Sequence, residues 1–173
     1  MDIWSKSKRS AVMARIRGKD TKPELVVRSL LHRAGVRFSL RRKDLPGRPD
    51  IVLPKYRAVV FVHGCFWHRH KGCKVATMPK SGKAFWMAKF KGNVARDRRN
   101  TRDLERLGWK VLVVWECEVM REPQAVLRYL LAGLGVRRGI RYDDLPERRD
   151  LLKVAEAKLQ WKLDPRGKKL LRC

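Results

Sequence analysis

The sequence predicts a mixed α/β domain in which helices flank a central sheet. Short β-rich runs at DIVLP, RAVVFVHG and KVLVVW alternate with longer segments whose apolar residues follow helical spacing. The chain has 173 residues and is 44% apolar, which suits one core but not two large ones. No internal repeat or long linker interrupts the order helix, hairpin, helix, strand, helix.

Two helices are predicted ahead of the sheet. The segment WSKSKRSAVMARIR can form a short basic helix, and TKPELVVRSLLHRAG gives a clearer one. In the second, Thr21 and Glu24 form a T-x-x-E capping box, Pro23 suits the first turn, and Gly35 is a stop signal. The capping box explains Glu24 without any functional role, although this residue could also face a site as support for a bound water.

The sheet follows. VRFSL is predicted as a short strand, and DIVLP and RAVVFVHG as a hairpin joined by Pro54-Lys55-Tyr56. A long charged helix is expected from Ala84 to Leu107, with a break near Gly92. KVLVVWECEV indicates a continuous strand buried on both faces, and PQAVLRYLLAGLG indicates another amphipathic helix.

The chain is predicted to divide into a domain over residues 1–136 and a basic C-terminal extension over residues 137–173. The extension contains a helix at LLKVAEAKLQWKL, which we expect to dock on the domain or on DNA.

Charge is the outlying property of the composition. The 43 Lys and Arg against 17 Asp and Glu give a formal net charge of +26, which points to a polyanionic partner such as nucleic acid. No run approaches the roughly 18 apolar residues of a membrane span, and the N-terminus has no signal-peptide core. We therefore expect a cytoplasmic protein without a membrane partner, in a reducing compartment where metal ligation is favoured over disulfides.

The loop HGCFWHRHKGC concentrates three of the four histidines and two of the four cysteines. Cys65, His70 and Cys73 can ligate a metal, and Cys117 at the end of a predicted strand can complete a closed, structural Cys3His zinc site. Spacing alone does not decide between His68 and His70 as the ligand. The simpler alternative is buried free thiols beside a surface histidine.

Asp50 is the clearest side-chain ligand for a catalytic metal. It follows Pro49 at the start of a strand, as in many DNA-cutting enzymes, where an acid-x-lysine on the next strand completes the site. Here that strand offers Phe61 and His63 at those two positions, so the backbone carbonyl of Val62 is the candidate second Mg²⁺ ligand. The alternative for Asp50 is a turn-capping role after LPGRP.

Three stretches together resemble the very-short-patch repair (Vsr) endonucleases of bacteria. They are LPGRPDIVLPKYRAVVFVHGCFWHRHKGC, the pair Phe85-Trp86, and NVARDRRNTRDLERLGWKVLVVWECEV, and the resemblance runs from Ser5 to Leu134. It departs from some members at Val62, where they have threonine, and in a loop that is one residue longer before Cys73.

The resemblance implies a restriction-endonuclease-like α/β fold with a structural zinc. It also implies Mg²⁺-dependent nicking of DNA on the 5′ side of the thymine in a T·G mismatch, the product of 5-methylcytosine deamination. The implied partners are mismatched double-stranded DNA and, functionally, a cytosine-5 DNA methyltransferase, with a mismatch-repair protein as a further candidate. A monomer associated with the bacterial nucleoid is the expected state.

Residue roles follow from the same resemblance. Asp50, with the carbonyl of Val62, would hold Mg²⁺; His68 would be the general base; His63 and Glu24 would support the metal waters and the transition state. The remaining residues fall into two sets. Cys65, His70, Cys73 and Cys117 would hold zinc, whereas Phe66, Trp67, Trp86, Arg15, Arg17, Lys19 and Arg48 would contact DNA. Phe85, next to Trp86, is expected to be a core residue.

Two other functions remain open from the residues. One is a related nuclease with another DNA substrate, for example in phage defence. The other is a zinc-stabilised DNA-binding module without catalysis.

Overall fold

A three-stranded sheet lies at the centre of the computed structural model. The described residues are 18–40, 42–136 and 148–163. The strands are β1 (Ile51–Leu53), β2 (Ala58–His63) and β3 (Lys110–Trp115). Strand β2 is central, antiparallel to β1 and parallel to β3. The hairpin between β1 and β2 turns through a 3-10 helix at Pro54–Tyr56, as predicted.

Five helices surround the sheet in the described part of the chain. They are α1 (Lys22–Arg33), α2 (Lys83–Arg106), α3 (Glu116–Arg121), α4 (Pro123–Gly133) and α5 (Arg148–Leu163). The mixed α/β class is therefore confirmed. None of these helices is long and apolar enough to cross a membrane.

The sheet has a different apolar layer on each face, because alternate residues of a strand point to opposite sides. Ile51 and Leu53 of β1 join the larger core, formed with α1, α4 and α5, whereas Val52 joins a smaller one that contains Leu104 of α2. Helices thus cover both faces, but only the larger core is extensive.

Two predicted strand boundaries were wrong. The segment VRFSL forms only an isolated bridge, in which Ser39 pairs with Val52, because Val36 and Phe38 pack against the larger core and β1 is too short to pair with a full strand. Strand β3 ends at Trp115, so Cys117 lies in helix α3 rather than at the end of a strand.

The expectation that β3 is buried on both faces was also wrong. Leu112 and Val114 are buried, but the alternate residues are half-buried. The reason is the sequence of α2, whose buried residues are Phe90, Asn93 and Leu104. A helix with so few apolar contacts covers its face of the sheet incompletely.

Helix α2 runs without interruption through Gly92, where a break was expected. Asn93 is buried there, and its Nδ2 donates a hydrogen bond to the carbonyl of Trp67 at 3.0 Å. This contact ties the middle of the helix to the Cys/His loop and helps to stabilise the helix across its glycine.

The C-terminal helix packs on the domain. Leu151 and Ala155 of α5 are fully buried in the larger core against α1, and Lys22 forms an ion pair with Glu156. The expected docking on the domain is therefore observed for the first half of α5. The predicted basic helix over residues 4–17 lies outside the described residues.

Candidate active site and metal centre

A cleft of about 790 Å³ opens between the start of α1, the turn before β1, the end of β2 and one side of α2. Its lining includes the predicted residues Glu24, Asp50, His63 and His68, together with Asp97 of α2. The carbonyl-bearing residue Val62 also borders it. Residues from five separate segments therefore meet at one site.

Asp50 occupies the position directly before β1. Its Oδ2 accepts a hydrogen bond from the backbone N–H of Val62 at 2.8 Å, which fixes the carboxylate beside the neighbouring strand. Burial raises the pKa of Asp50 to about 6, and the negative charge of Glu24 adds to the effect. A carboxylate held in a costly ionised state is well suited to bind a cation, which relieves that cost.

Glu24 is already saturated by protein hydrogen bonds. Its Oε1 accepts bonds from the backbone N–H and the hydroxyl of Thr21 at 3.2 and 2.8 Å. Its Oε2 accepts bonds from the backbone N–H of Asp20 at 3.0 Å and from Arg28 at 2.6 Å. The predicted capping role of Glu24 is thus observed, and the same network fixes the N-terminal end of α1 at the edge of the cleft.

Two histidines stack on each other inside the cleft. The rings of His63 and His68 lie 3.9 Å apart between centroids, with an angle of 9° between their planes. Burial lowers the pKa of His63 to about 4, and the nearby charge of His68 adds to the effect, so His63 is neutral near pH 7. A neutral imidazole can still donate one hydrogen bond to a phosphate oxygen.

His68 is oriented by Asp97, which sequence reasoning missed. The Nδ1 of His68 lies 2.6 Å from Oδ2 of Asp97. Burial opposes ionisation of Asp97, but the hydrogen bond and charge of His68 outweigh it and lower the pKa of the carboxyl. An ionised carboxylate can only accept, so Nδ1 carries a proton, and in the neutral form of the ring Nε2 keeps a free lone pair.

His63, His68 and Asp97 also lie within metal-binding distance of one another. Imidazole nitrogens coordinate in the plane of the ring, and the two stacked rings direct their lone pairs in two parallel planes. This geometry disfavours a shared cation. It favours the acid–base arrangement, in which a carboxylate orients one imidazole and the second imidazole packs against it.

A second cluster lies behind the histidines. The potential ligand atoms of Cys65, His70, Cys73 and Cys117 all lie within 4.8 Å of one another. The Nδ1 of His70 is 3.6 Å from the Sγ of Cys65 and 3.3 Å from that of Cys117. Ligand atoms around a tetrahedral zinc are roughly 3.3–3.8 Å apart, so these residues fit a closed four-coordinate metal site.

The environment of these thiols fits the same site. Burial raises the pKa of Cys65 to about 12, whereas a hydrogen bond from the backbone of Val75 is the main factor that lowers the pKa of Cys73. A divalent cation reverses the effect of burial because it deprotonates a coordinating thiol outright. The Nε2 of His70 lies 3.9 Å from Oε1 of Glu118, so a carboxylate borders the cluster without a direct hydrogen bond to the imidazole.

An aromatic cluster borders the cleft on the α2 side. Phe66 contacts the rings of Trp67, Trp86 and Phe90 at centroid distances of 5.1, 5.4 and 5.1 Å. Phe90 is buried, whereas Phe66, Trp67 and Trp86 are half-buried. The three predicted wedge residues therefore lie together, with Phe90 beneath them as support.

Phe85 is not a core residue, contrary to expectation. Its side chain is 66% exposed, and its ring touches the edge of Trp86 at 5.5 Å. Phe85 lies in the first turn of α2, before the helix reaches the sheet, and so has no apolar layer to pack into. It extends the aromatic cluster outward instead.

The predicted phosphate contacts are only partly described. Lys19 and Arg48 are exposed and line the cleft, whereas Arg15 and Arg17 lie outside the described residues. Further cations line the same cleft, namely Lys43, Lys89 and Arg96. Basic side chains therefore share the cleft with its acidic residues and are available to contact phosphates.

One sequence signal could have identified Asp97. It is the single acidic residue in the long basic stretch from Lys74 to Arg102. A carboxylate retained among so many cations indicates a specific partner. No local spacing relates it to His68, which lies 29 positions earlier.

The turn before Asp50 presses closely on α2. Gly47 has a positive φ of 73°, and a Cβ atom there would lie 2.6 Å from Nδ2 and 2.9 Å from Cβ of Asn100. Only glycine fits this contact. The next residue, Arg48, is also left-handed with a φ of 51°, an uncommon conformation for arginine that directs the turn at the cleft.

Known proteins extend these observations. Residues 1–74 match the family described as DNA mismatch endonuclease Vsr. A Type II nicking enzyme of Xanthomonas oryzae pv. oryzae, V.XorIIP, is 52% identical over 118 residues, which are 68% of this chain and 86% of the relative. The DNA mismatch endonuclease Vsr of Escherichia coli K12 is 46% identical over 67% of this chain and 74% of its own length.

A more distant relative gives the same indication. The Type II nicking enzyme V.NaeI of Lentzea aerocolonigenes is 37% identical over 69% of this chain and 74% of its own length. Each of these alignments covers about two thirds of the chain. The chain therefore belongs to the DNA mismatch endonuclease Vsr family and is a DNA endonuclease.

Proposed function

We propose that this protein nicks one strand of duplex DNA on the 5′ side of the thymine in a T·G mismatch, in a Mg²⁺-dependent reaction. The observation that carries the proposal is a single cleft that joins Asp50 and the His68–Asp97 pair, with Trp67 of the aromatic cluster in its lining. Similarity to one relative named a nicking enzyme and to another named a DNA mismatch endonuclease supports it.

The aromatic cluster supplies a reason for mismatch selectivity. Inserting rings between base pairs costs stacking energy, and this cost is lower beside a wobble pair than in matched duplex. Phe66, Trp67 and Trp86 are partly exposed members of one cluster, so they can enter the base stack together. The buried ring of Phe90 packs against Phe66 and supports the cluster. Lys19, Arg48 and the other cleft cations would contact phosphates, which position the duplex without reading its sequence.

His68 is the proposed general base. With Nδ1–H bound to Asp97, its Nε2 can accept the proton of the attacking water. His63, neutral and stacked on His68, would donate a hydrogen bond to the phosphate as charge develops on it. Glu24 would act indirectly, because its oxygens are occupied in holding Asp20, Thr21 and Arg28 at the edge of the cleft.

Asp50 and the backbone carbonyl of Val62 are the proposed ligands for Mg²⁺. When bound, the cation would supply Lewis-acid stabilisation of the charge on the scissile phosphate. The position of Asp50 at the start of a strand, hydrogen-bonded to the next strand, is the feature that supports a restriction-endonuclease-like arrangement. Burial raises the pKa of Asp50, and a bound cation would offset the free-energy cost of ionising this carboxyl.

Zn²⁺ is the proposed metal of the Cys65, His70, Cys73 and Cys117 cluster. Three thiols with one imidazole are a common structural zinc set, and all four positions would be filled by protein. The metal would therefore stabilise the loop that carries His68 and the aromatic cluster, and would take no part in hydrolysis.

The test uses strand-labelled duplexes that contain a T·G mismatch or the matched T·A and C·G pairs, with Mg²⁺. Nicking confined to the thymine strand of the mismatched duplex is the expected result. Equal cutting of matched DNA would favour a nuclease with another substrate. Binding without any product would favour a zinc-stabilised DNA-binding module. A panel of flanking sequences, methylated and unmethylated at cytosine, then relates the substrate to sites of a cytosine-5 methyltransferase.

A further inference from the structure

The metal cluster and the stacked histidines are joined by one indole ring. Trp115 is the last residue of β3, and it pairs in parallel register with His63, the last residue of β2. Paired residues on neighbouring strands project to the same face. Trp115 therefore lies beside His63 where both strands end, just before the chain turns into α3.

One histidine stacks on a face of this indole and another meets it edge-on. The Trp115 ring stacks on the His70 ring at 4.1 Å with an interplanar angle of 3°, and it meets the His63 ring edge-on at 5.4 Å. His63 in turn stacks on His68 at 3.9 Å. The result is an unbroken series of rings from a proposed metal ligand to the proposed general base.

The outer rings of the series are held by polar groups, whereas the middle is held by packing. Nδ1 of His70 faces two thiols, and Nδ1 of His68 faces Asp97. Trp115 and His63 have ring contacts that fix their orientation. If the indole is removed, His63 loses its edge contact. His68 keeps its hydrogen bond to Asp97 but then stacks on an imidazole whose orientation is less well fixed.

We propose that Trp115 is a positioning residue for the nicking reaction, which transmits the rigidity of the metal cluster to the His63–His68 pair. This inference rests on the proposed function, because it takes His68 as the general base. Trp115 does not touch the substrate. Its contribution is to hold two imidazoles in the orientation that proton transfer requires, since small misplacements of a catalytic group lower rates steeply.

The experiment compares Trp115→Leu with Trp115→Phe in the full-length, metal-loaded protein. Trp115→Leu removes the flat ring, and Trp115→Phe retains one that can stack. Trp109→Leu is the matched control, because Trp109 is also half-buried next to β3 and packs under Arg57 at 5.2 Å, at the other end of the strand. Each variant is measured for zinc content, affinity for mismatched DNA without Mg²⁺, and single-turnover nicking at saturating protein.

Trp115→Leu is expected to lower the single-turnover rate at least tenfold, with one zinc per chain and DNA affinity within about twofold of the parent. Trp115→Phe should recover most of the rate, and Trp109→Leu should keep it. In proton NMR spectra, the downfield Nδ1–H resonance of His68 should broaden in Trp115→Leu and remain sharp in Trp115→Phe.

Three outcomes would overturn the inference. They are full activity in Trp115→Leu, an equal loss in the Phe and Leu variants, and a loss of rate that is matched by loss of zinc. His68→Ala is measured in parallel on the substrate that the parent protein nicks. Activity in that variant would remove His68 as the base, which is a failure of the proposed function and not of Trp115 alone.

Discussion

Nδ1 of His68 lies 2.6 Å from Oδ2 of Asp97, although the two residues are 29 positions apart and belong to a loop and a helix. The contact selects one tautomer of the imidazole, because an ionised carboxylate can only accept a hydrogen bond. The lone pair of Nε2 is thereby left available on the side away from Asp97. A single carboxylate on α2 thus defines what His68 can do.

Asp97→Asn should abolish most of the activity without unfolding the protein. The amide can donate to Nδ1 and favour the opposite tautomer, which removes the lone pair from Nε2. We expect the single-turnover nicking rate to fall by about 10²–10⁴, a range typical for loss of the residue that orients a catalytic histidine. Asp103→Asn on the same helix is the control, and comparable losses in both variants would contradict the assigned role.

Asp50→Asn should stabilise the metal-free protein while eliminating nicking. The pKa of Asp50 is raised from 3.8 to about 6 by burial, so the folded state holds the ionised form at a cost of roughly 3 kcal/mol. This cost is fully present above pH 6 and disappears as the pH falls through 6 toward 3.8, because the proton then binds the folded state more tightly. The amide of the Asp50→Asn variant is neutral and therefore has no such ionisation cost.

Thermal unfolding at several pH values measures this effect. Without divalent cations, Asp50→Asn should unfold at a higher temperature than the parent at pH 7, and the difference should vanish near pH 4. Asp44→Asn is the control of opposite sign, because its hydrogen bond to Arg42 lowers the pKa of Asp44 to about 2. A pH-independent difference for Asp50→Asn would remove desolvation as the explanation.

Cys73→Ala should lose the bound metal and much of the stability together. Metal binding contributes directly to folding in sites of this kind. We expect about one fewer metal per chain and a destabilisation on the order of 3 kcal/mol, or roughly 10 °C in Tm for a chain of this size. Plasma emission spectrometry and calorimetry measure both quantities. Cys173→Ala, which removes a cysteine outside the predicted site, should match the parent.

Phe85→Ala should weaken DNA binding without loss of stability. The ring is 66% exposed, so its removal leaves no cavity, but its position beside Trp86 allows it to contact bases or sugars next to the proposed wedge. Base–aromatic stacking contributes about 1–3 kcal/mol per base, so we expect roughly a 5- to 150-fold rise in Kd for mismatched duplex. Tyr129→Ala, a 50% exposed aromatic on α4, should leave Kd unchanged.

Local sequence signals were sufficient for elements that stabilise themselves. The capping box at Thr21 and Glu24 marks the start of α1, and the turn at Pro54–Tyr56 joins two strands that are adjacent in sequence. The dense Cys/His loop likewise brings most of the metal-binding residues together within a few positions. In each case the interactions that decide the structure lie within a short stretch of chain.

Long-range packing decided the features that the sequence did not reveal. Val36 and Phe38 have strand-like patterning, but they pack in or against the larger core, and only Ser39 pairs with β1. Phe85 has the composition of a core residue, yet α2 meets the sheet only further along. Asp97 contacts His68 only because α2 packs against the loop that follows β2, a relation that no spacing in the sequence records.

Gly47 and Asn100 meet so closely that not even a methyl group fits between the turn and α2. Asn100 lies three residues after Asp97, on the same side of the helix. The separation between the carboxylate of Asp50 and the base held by Asp97 thus depends on the absence of a Cβ atom at Gly47. A larger residue at position 47 would move the two halves of the reaction centre apart without touching either of them.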